Sequence, residues 1–244
     1  MKSGLNVSMA LVALLLGVSV SAQASGGKTA DTPAAKSAVK TFHCYRLKQK
    51  NVLFGECTVY ASPQALKIVF TNGKFVNLCK APDWQLYVIN PREKIYNSVS
   101  LDKWQANKLQ LDSMAASRKV ELIETKETKK IAGLTAVKIV PAVRTGGNRA
   151  REYGIYWVAR DIHLPDQISH VMCGNSLLPT LHKIPLSVSM DSAVLRSSLT
   201  TTAADEVDMP VSFFDLPKGM KYTSHHEDVM NTGVMDIVKD MTGF

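Results

Sequence analysis

No two cysteines stand in C-x-x-C spacing, although the chain has four, Cys44, Cys57, Cys79 and Cys173. That excludes the common redox and zinc patterns. No cysteine precedes Cys44, so a lipid-modified cysteine directly after an export signal is not expected. There is no G-x-S-x-G sequence to place a nucleophile on a sharp turn. Nor do two histidines stand at i and i+4, the spacing that shares a metal ion on one helix face. Acids are outnumbered, Asp+Glu 21 against Lys+Arg 29, but the net +8 is moderate over 244 residues. No RNA- or DNA-binding motif accompanies it, so nucleic acid is not an expected partner. Only one stretch, Met9–Val20, is apolar enough to be membrane-directed.

What is there begins with that stretch. Lys2 supplies a positive start, and Ala22-Gln23-Ala24 has small residues where a signal peptidase reads. The run is shorter than the ~20 residues of a membrane anchor. Residues 1–24 are therefore predicted to be a cleaved signal peptide, the alternative being a retained anchor. A periplasmic or secreted protein without a lipid anchor is expected. Residues 25–41 are rich in Gly, Ser, Ala, Thr, Pro and Lys. They bury too little to offset their ordering entropy and read as a flexible linker. The folded domain is expected over 42–244.

That domain reads as a meander of strands. Phe42–Lys48, Val52–Tyr60, Ala65–Thr71, Lys74–Lys80, Gln85–Asn90 and Lys94–Val99 are short β-branched or aromatic runs. Ala61-Ser62-Pro63-Gln64, Asn72-Gly73 and Asn90-Pro91-Arg92-Glu93 separate them. Lys119–Thr125, Thr135–Val143 and Arg151–Arg160 follow. Ile184–Met190 alternates strictly, and Ala193–Thr202 comes after Asp191-Ser192. The pattern predicts about eleven strands, and the short links make neighbours antiparallel.

Three helices interrupt the strands. Leu101–Met114 follows Ser100, a candidate cap. Pro165–Cys173 has Pro first and Gly174 past its end, with Leu164, Ile168, Val171 and Met172 on one face. The last is expected over His225–Met241, where Ser224 and Glu227 form a capping box. Met230, Val234, Ile237, Val238 and Met241 make its apolar stripe.

Export would allow disulfides, and four cysteines allow three connectivities. Pairing Tyr60 with Ala65 and Thr71 with Lys74 sets Cys57 and Cys79 two strands apart. That is ~9.5 Å, beyond disulfide reach. A turn at Gln49-Lys50-Asn51 puts Cys44 opposite Cys57. The expected bridges are Cys44–Cys57 and Cys79–Cys173, the alternative being buried thiols.

Candidates for chemistry are few. His225-His226-Glu227-Asp228 suggests a metal, but adjacent histidines point about 100° apart on a helix. A capped helix start is the simpler reading, and no metal is expected. His163 and His170 lie near Asp161 and Asp166 without a nucleophile, so no enzyme and no cofactor are expected. Arg144, Arg149 and Arg151, with Lys126, Lys129 and Lys130, sit at hairpin tips. There they confer solubility or attract anionic lipid or an acidic partner.

Some strands are apolar on both faces. Tyr153, Ile155 and Trp157 share one face of their strand, Tyr156 and Val158 the other. Leu66, Ile68 and Phe70 oppose Ala65 and Val69. A sheet with one wet face alternates cleanly, so helices are expected to cover both sides of a curved sheet. Met172, Met190, Met230, Met235 and Met241 suit either a variable apolar ligand or an ordinary packed core.

The order of elements resembles the lipoprotein-carrier (LolA-like) superfamily of exported bacterial proteins. Trp84–Trp104 is similar to that family's strand pair before a helix. So are Ile131-Ala132-Gly133-Leu134 and Tyr156-Trp157-Val158-Ala159-Arg160-Asp161. Phe213-Phe214-Asp215-Leu216-Pro217-Lys218-Gly219-Met220 matches a terminal F-x-x-P-x-G pattern. The resemblance covers roughly residues 50–222. It implies a mainly β (α+β) fold, an unclosed antiparallel half-barrel with helices packed in the concave side. Carriers of this class hold a lid closed with a cavity arginine. No arginine matches by motif, and Arg160 and Arg196 are candidates by position.

The expected function is non-catalytic binding of an acyl chain or other apolar small molecule in the concave face. Tyr153, Ile155, Trp157, Ile168, Met172, Leu186 and Val188 are the candidate lining residues, with a helix as lid. Contact with the membrane would be peripheral. The rival expectation is a protein-interaction module with a filled core that engages an envelope protein.

Overall fold

The computed structural model describes residues 39–51, 55–70, 74–104, 120–143, 151–152, 154–175, 183–189, 198–225 and 228–229. The expected signal peptide and most of the linker lie outside them. So do Tyr153, Arg144, Arg149, Arg196, His226, Glu227, and the last helix beyond residue 229.

The first six strands follow the short apolar runs of the sequence. They are β1 (Thr41–Asn51), β2 (Gly55–Ser62), β3 (Ala65–Phe70), β4 (Phe75–Lys80), β5 (Gln85–Asn90) and β6 (Ile95–Ser100). Each pairs antiparallel with the next. A second meander holds β7 (Val120–Ile131), β8 (Leu134–Val143), β9 (Arg151–Glu152), β10 (Ile155–Ala159), β11 (Pro185–Ser189) and β12 (Ser198–Pro210). The two meanders join where the first strand of one meets the last strand of the other. β1 lies against β12 from Thr41↔Pro210 to Asn51↔Leu199. A short β13 (Lys221–Tyr222) adds in parallel to β6. Among the described residues the result is one open, mainly antiparallel sheet of thirteen strands, a half-barrel with β7 at one edge and β13 at the other.

Turn chemistry explains the registers. Ala132 and Gly133 both have positive φ, 50° and 86°, the two-residue geometry that suits a twisted hairpin. The β2–β3 turn is tighter than the sequence suggests. Ser62 Oγ accepts from Ala65 N at 3.0 Å and Gln64 N at 3.3 Å. It thereby sets Ser62 opposite Ala65, where Tyr60 was expected. The shift of two leaves every side chain on its face.

β1 departs further. It runs on to Asn51, through the segment read as a turn, and Cys57 comes opposite Gln49. Cys44 pairs with Val207 and packs with Ala65, Leu78 and Phe214, whereas Cys57 packs with the opposite face. The expected Cys44–Cys57 bridge is therefore wrong. Cys79 sits with Leu66 and Leu86, and Cys173 with Tyr156 and Val188, so Cys79–Cys173 is wrong too. All four cysteines are thiols.

Helix α1 (Asp166–Asn175) packs on the concave face. Ile168, Val171 and Met172 are buried there, on the stripe the spacing predicts, and Cys173 is buried beside them. Gly174 lies inside its last turn rather than beyond it. A Cβ at Gly174 would fall 2.6 Å from Trp104 Cζ2 and 2.9 Å from Cζ3. Only glycine lets that indole approach. Residues 101–104 form the helical turn that carries it. Lys103 N donates to Ser100 Oγ at 3.4 Å, so Ser100 is the cap.

The other face of β1–β6 is covered by a single 3-10 turn, Val211–Phe214, and the chain that follows it, not by an α-helix. Residues 211–222 cross it and bring Phe213, Phe214, Leu216 and Met220 onto Val76, Leu78 and Ile89. Lys67 Nζ donates to Phe213 O at 2.8 Å and sits 3.9 Å from its ring centroid. Lys80 pairs with Asp215. Gly219, at φ 77°, turns the chain toward the edge. There β13 forms, with Lys221 N on Lys94 O and Thr223 N on Tyr96 O. Asn97 then donates to Thr223 O at 2.8 Å and Asn90 to Val229 O at 3.4 Å. Val229 ends fully buried with the α1-face cluster. This strap wraps the edge from one face to the other.

Candidate functional site

The pleat decides which side chains meet under α1. Across β3, β2, β1 and β12 one row reads Phe70, Cys57, Gln49, Thr201. The next rows bring Ile68, Val59 and Leu47 together on one side, and Asn51, Leu199, Val188 and Tyr156 on the other. Met172 comes down from α1 onto this surface. Gln49, Asn51, Cys57, Val59, Ile68, Phe70, Met172 and Leu199 line a narrow cleft of about 10 Å³, room for about one water molecule.

The cleft is apolar with two carboxamides at one end. Gln49 is only 5 % exposed. Its Nε2 donates to Pro185 O at 2.9 Å and to Thr201 Oγ1 at 3.1 Å. Burial pushes the Cys57 thiol up to about 11, so it is protonated and unreactive at neutral pH. Farther along the sheet, on β10, the Tyr156 phenol is pushed up to about 12, first by burial and then by Cys173. Nothing in this lining carries charge, and the arrangement suits apolar contact rather than acid–base work.

The candidate lining residues divide. Met172 reaches the cleft, Ile168 and Leu186 belong to the buried cluster beside it, and Val188 lies one row away. Trp157 and Ile155 stand on the opposite face of β10 from Tyr156 and Val158. Lys129 holds its ammonium 4.1 Å from the Trp157 ring centroid on that face, and the half-buried indole also packs against the cluster that holds Ile168 and Leu186. Sequence reading saw both apolar faces of this strand but had no means to tell inside from outside. It also missed Gln49, because it placed a turn there.

The other candidates stay apart. Arg160 is exposed and bonded to Asp161 at 2.9 Å, not in the cleft. That partner holds the Asp161 carboxyl below the usual range, its hydrogen bond being the largest cause. His163 is exposed. His225 N donates to Thr223 Oγ1 at 3.2 Å, and that hydroxyl donates to Asp228 at 3.0 Å. The capping box expected of Ser224 and Glu227 lies in part outside the described residues. Among the described residues no three metal-ligating side chains come together. Among them, too, no helix is long and apolar enough to cross a membrane.

No protein-family model matches the chain, and no curated protein does. Solved structures that align with the chain include three with TM-scores below 0.5. An uncharacterized conserved protein from Thermus thermophilus aligns at 10 % identity and a TM-score of 0.43, over 74 % of this chain and 89 % of that one. PNGF-II aligns at 14 % and 0.45, over 77 % of this chain. MucB aligns at 11 % and 0.40, over 73 %. The matched part spans 32 % of the PNGF-II chain and 59 % of MucB.

Proposed function

We propose that this is an exported binding protein, LolA-like in design, that holds an acyl chain or other apolar ligand between α1 and the concave sheet. The reading rests on one observation. The surface under α1 carries two apolar clusters, with Phe70, Ile68 and Val59 in one and Leu199, Val188 and Tyr156 in the other and only Gln49, Asn51 and Thr201 as polar groups between them, and its cover near the cleft is the flexible Met172. A ligand would take the place of Met172 and of part of the α1 contact. Its binding would come from apolar area leaving water, at ~25 cal/mol per Å². Several kcal/mol for one chain permits both capture and release. A periplasmic or secreted location, peripheral membrane contact and an envelope partner belong to the same proposal.

The size of the cleft favours a second reading. About 10 Å³ is what a filled core leaves, and a packed half-barrel would serve as a non-catalytic protein-interaction module. Native mass spectrometry of detergent-free protein separates the two. Excess mass of a few hundred daltons that vanishes on denaturation, on the order of one lipid, supports the carrier. A clean mass, with no uptake of a fluorescent fatty acid, supports the module.

A further inference from the structure

We infer that Val229 sets the length of chain that the concave face accepts. A ligand that enters beneath Met172 runs along one row of the sheet and stops against Val229, near the reach of a dodecyl chain. The inference rests on the apolar-ligand reading above and adds a specificity-determining residue to that site.

The cleft is polar on one side only. Its two amides, Gln49 and Asn51, belong to β1, and Thr201 stands opposite Gln49 on β12. Cys57 and Val59 belong to β2, Ile68 and Phe70 to β3. Desolvating an amide without a partner is costly, so an apolar chain leaves the cleft over β3. Two cross-strand rows lead on from there. One passes from Val59 and Ile68 to Asn77, Val88 and Asn97. Its two buried amides make it a poor seat for hydrocarbon. The other passes from Cys57 and Phe70 to Phe75. Val76 faces Ile89 across β4 and β5, which sets Phe75 beside Asn90, and Asn90 faces Ile95. Cys57, Phe70, Phe75 and Ile95 share one apolar cluster with Met172. Hydrocarbon therefore follows this second row.

Asn90 closes that row. Its Oδ1 accepts from Glu93 N at 3.1 Å, and its Nδ2 donates to Val229 O at 3.4 Å. One amide thus ties the end of the strap to the β5–β6 turn. Val229 is fully buried and lies in the same cluster as Phe70, Phe75 and Ile95. From Cys57 on β2 to Asn90 on β5 is three strand spacings, ~14 Å, close to the extended length of a dodecyl group. Up to that length each added CH2 leaves water. A longer chain has to push Val229 aside and break its bond to Asn90, so the gain stops.

The test is displacement of N-phenyl-1-naphthylamine, an apolar fluorescent probe, from the full chain by alkan-1-ols from hexan-1-ol to hexadecan-1-ol. In the natural protein affinity is expected to rise about fourfold per CH2 as far as dodecan-1-ol and to level off beyond it. Val229→Ala should move the break to longer alcohols and Val229→Ile to shorter ones, with the affinity for hexan-1-ol unchanged. A residue that only supports the fold would alter every affinity alike. Should Val229→Ala fail to fold, Val229→Ile serves. An unbroken rise to hexadecan-1-ol, or a break that stays in place in a folded variant, overturns the inference and leaves the apolar-ligand reading standing. If the probe itself does not bind, both fall.

Discussion

Trp104 lies against Gly174, so the helical turn at 101–104 and the end of α1 are locked by one glycine. In an exposed helix, Ala for Gly gains up to about 1 kcal/mol. Here the added methyl would meet the indole, and overpacking costs about 1–3 kcal/mol. Gly174→Ala is therefore expected to be destabilising in urea unfolding. Trp104→Ala in the same chain should recover part of the loss. A stabilised Gly174→Ala would show that the indole does not press on the helix.

Trp157 and Met172 should behave differently toward ligand. Trp157 lies under Lys129 on the face of β10 opposite Tyr156 and is absent from the cleft lining, so Trp157→Ala is expected to leave probe uptake unchanged. Met172→Ala opens the cleft. It should cost about 2–5 kcal/mol of stability while raising uptake of an apolar fluorescent probe. Fluorescence titration of both variants checks the pair. Lost uptake on Trp157→Ala would put the ligand on the wrong face for the proposed site.

The seam between the two meanders carries a pH-dependent contact. His43 Nδ1 lies 3.0 Å from Asp208 and Nε2 3.2 Å from Glu206. The Asp208 hydrogen bond is the largest of the causes that raise its pKa above 6.5. A raised folded-state value means that the contribution is full below the unfolded pKa and is lost as pH rises through the folded one. Between about pH 5.5 and 8 the natural protein should lose more stability than His43→Gln, judged by thermal melts. The site is exposed, so 1 M salt should abolish the difference. Parallel curves at low salt would refute the contact.

Thiol chemistry gives the plainest check. Cys57 and Cys79 are pushed up to about 11 and about 12, chiefly by burial. At pH 8 both are expected to react with Ellman's reagent far more slowly than a model thiol. After denaturation without reductant all four cysteines should titrate, and reductant should not shift the melting temperature. Fewer than four titrating thiols would reinstate a bridge.

The sequence by itself determined much of the local structure. Gln85–Asn90 is a strand with the bounds that its residue pattern sets. Ile168, Val171 and Met172 form the buried stripe of α1 because helical spacing puts them on one side. Ala132-Gly133 turns where the sequence places a break. These features depend on residues a few positions apart, which is the range a pattern can report.

Tertiary structure alone decided the rest. The seam joins residues 148 to 169 positions apart, and β12 continues through Asp205, Glu206 and Asp208, an acidic stretch that does not look like a strand. It holds because β1 supplies Arg46 and His43 opposite those acids. Likewise the strap replaces a helix on the second face, since Phe213 finds Lys67 and Tyr60 only after the sheet has formed. In β10 both faces are apolar, and what settles which face Tyr156 and Trp157 each take is register with β8 and β11. Gln49 enters the site for the same reason. A turn moved by a few residues carries it from a loop to the centre of the sheet, and only long-range pairing fixes that turn.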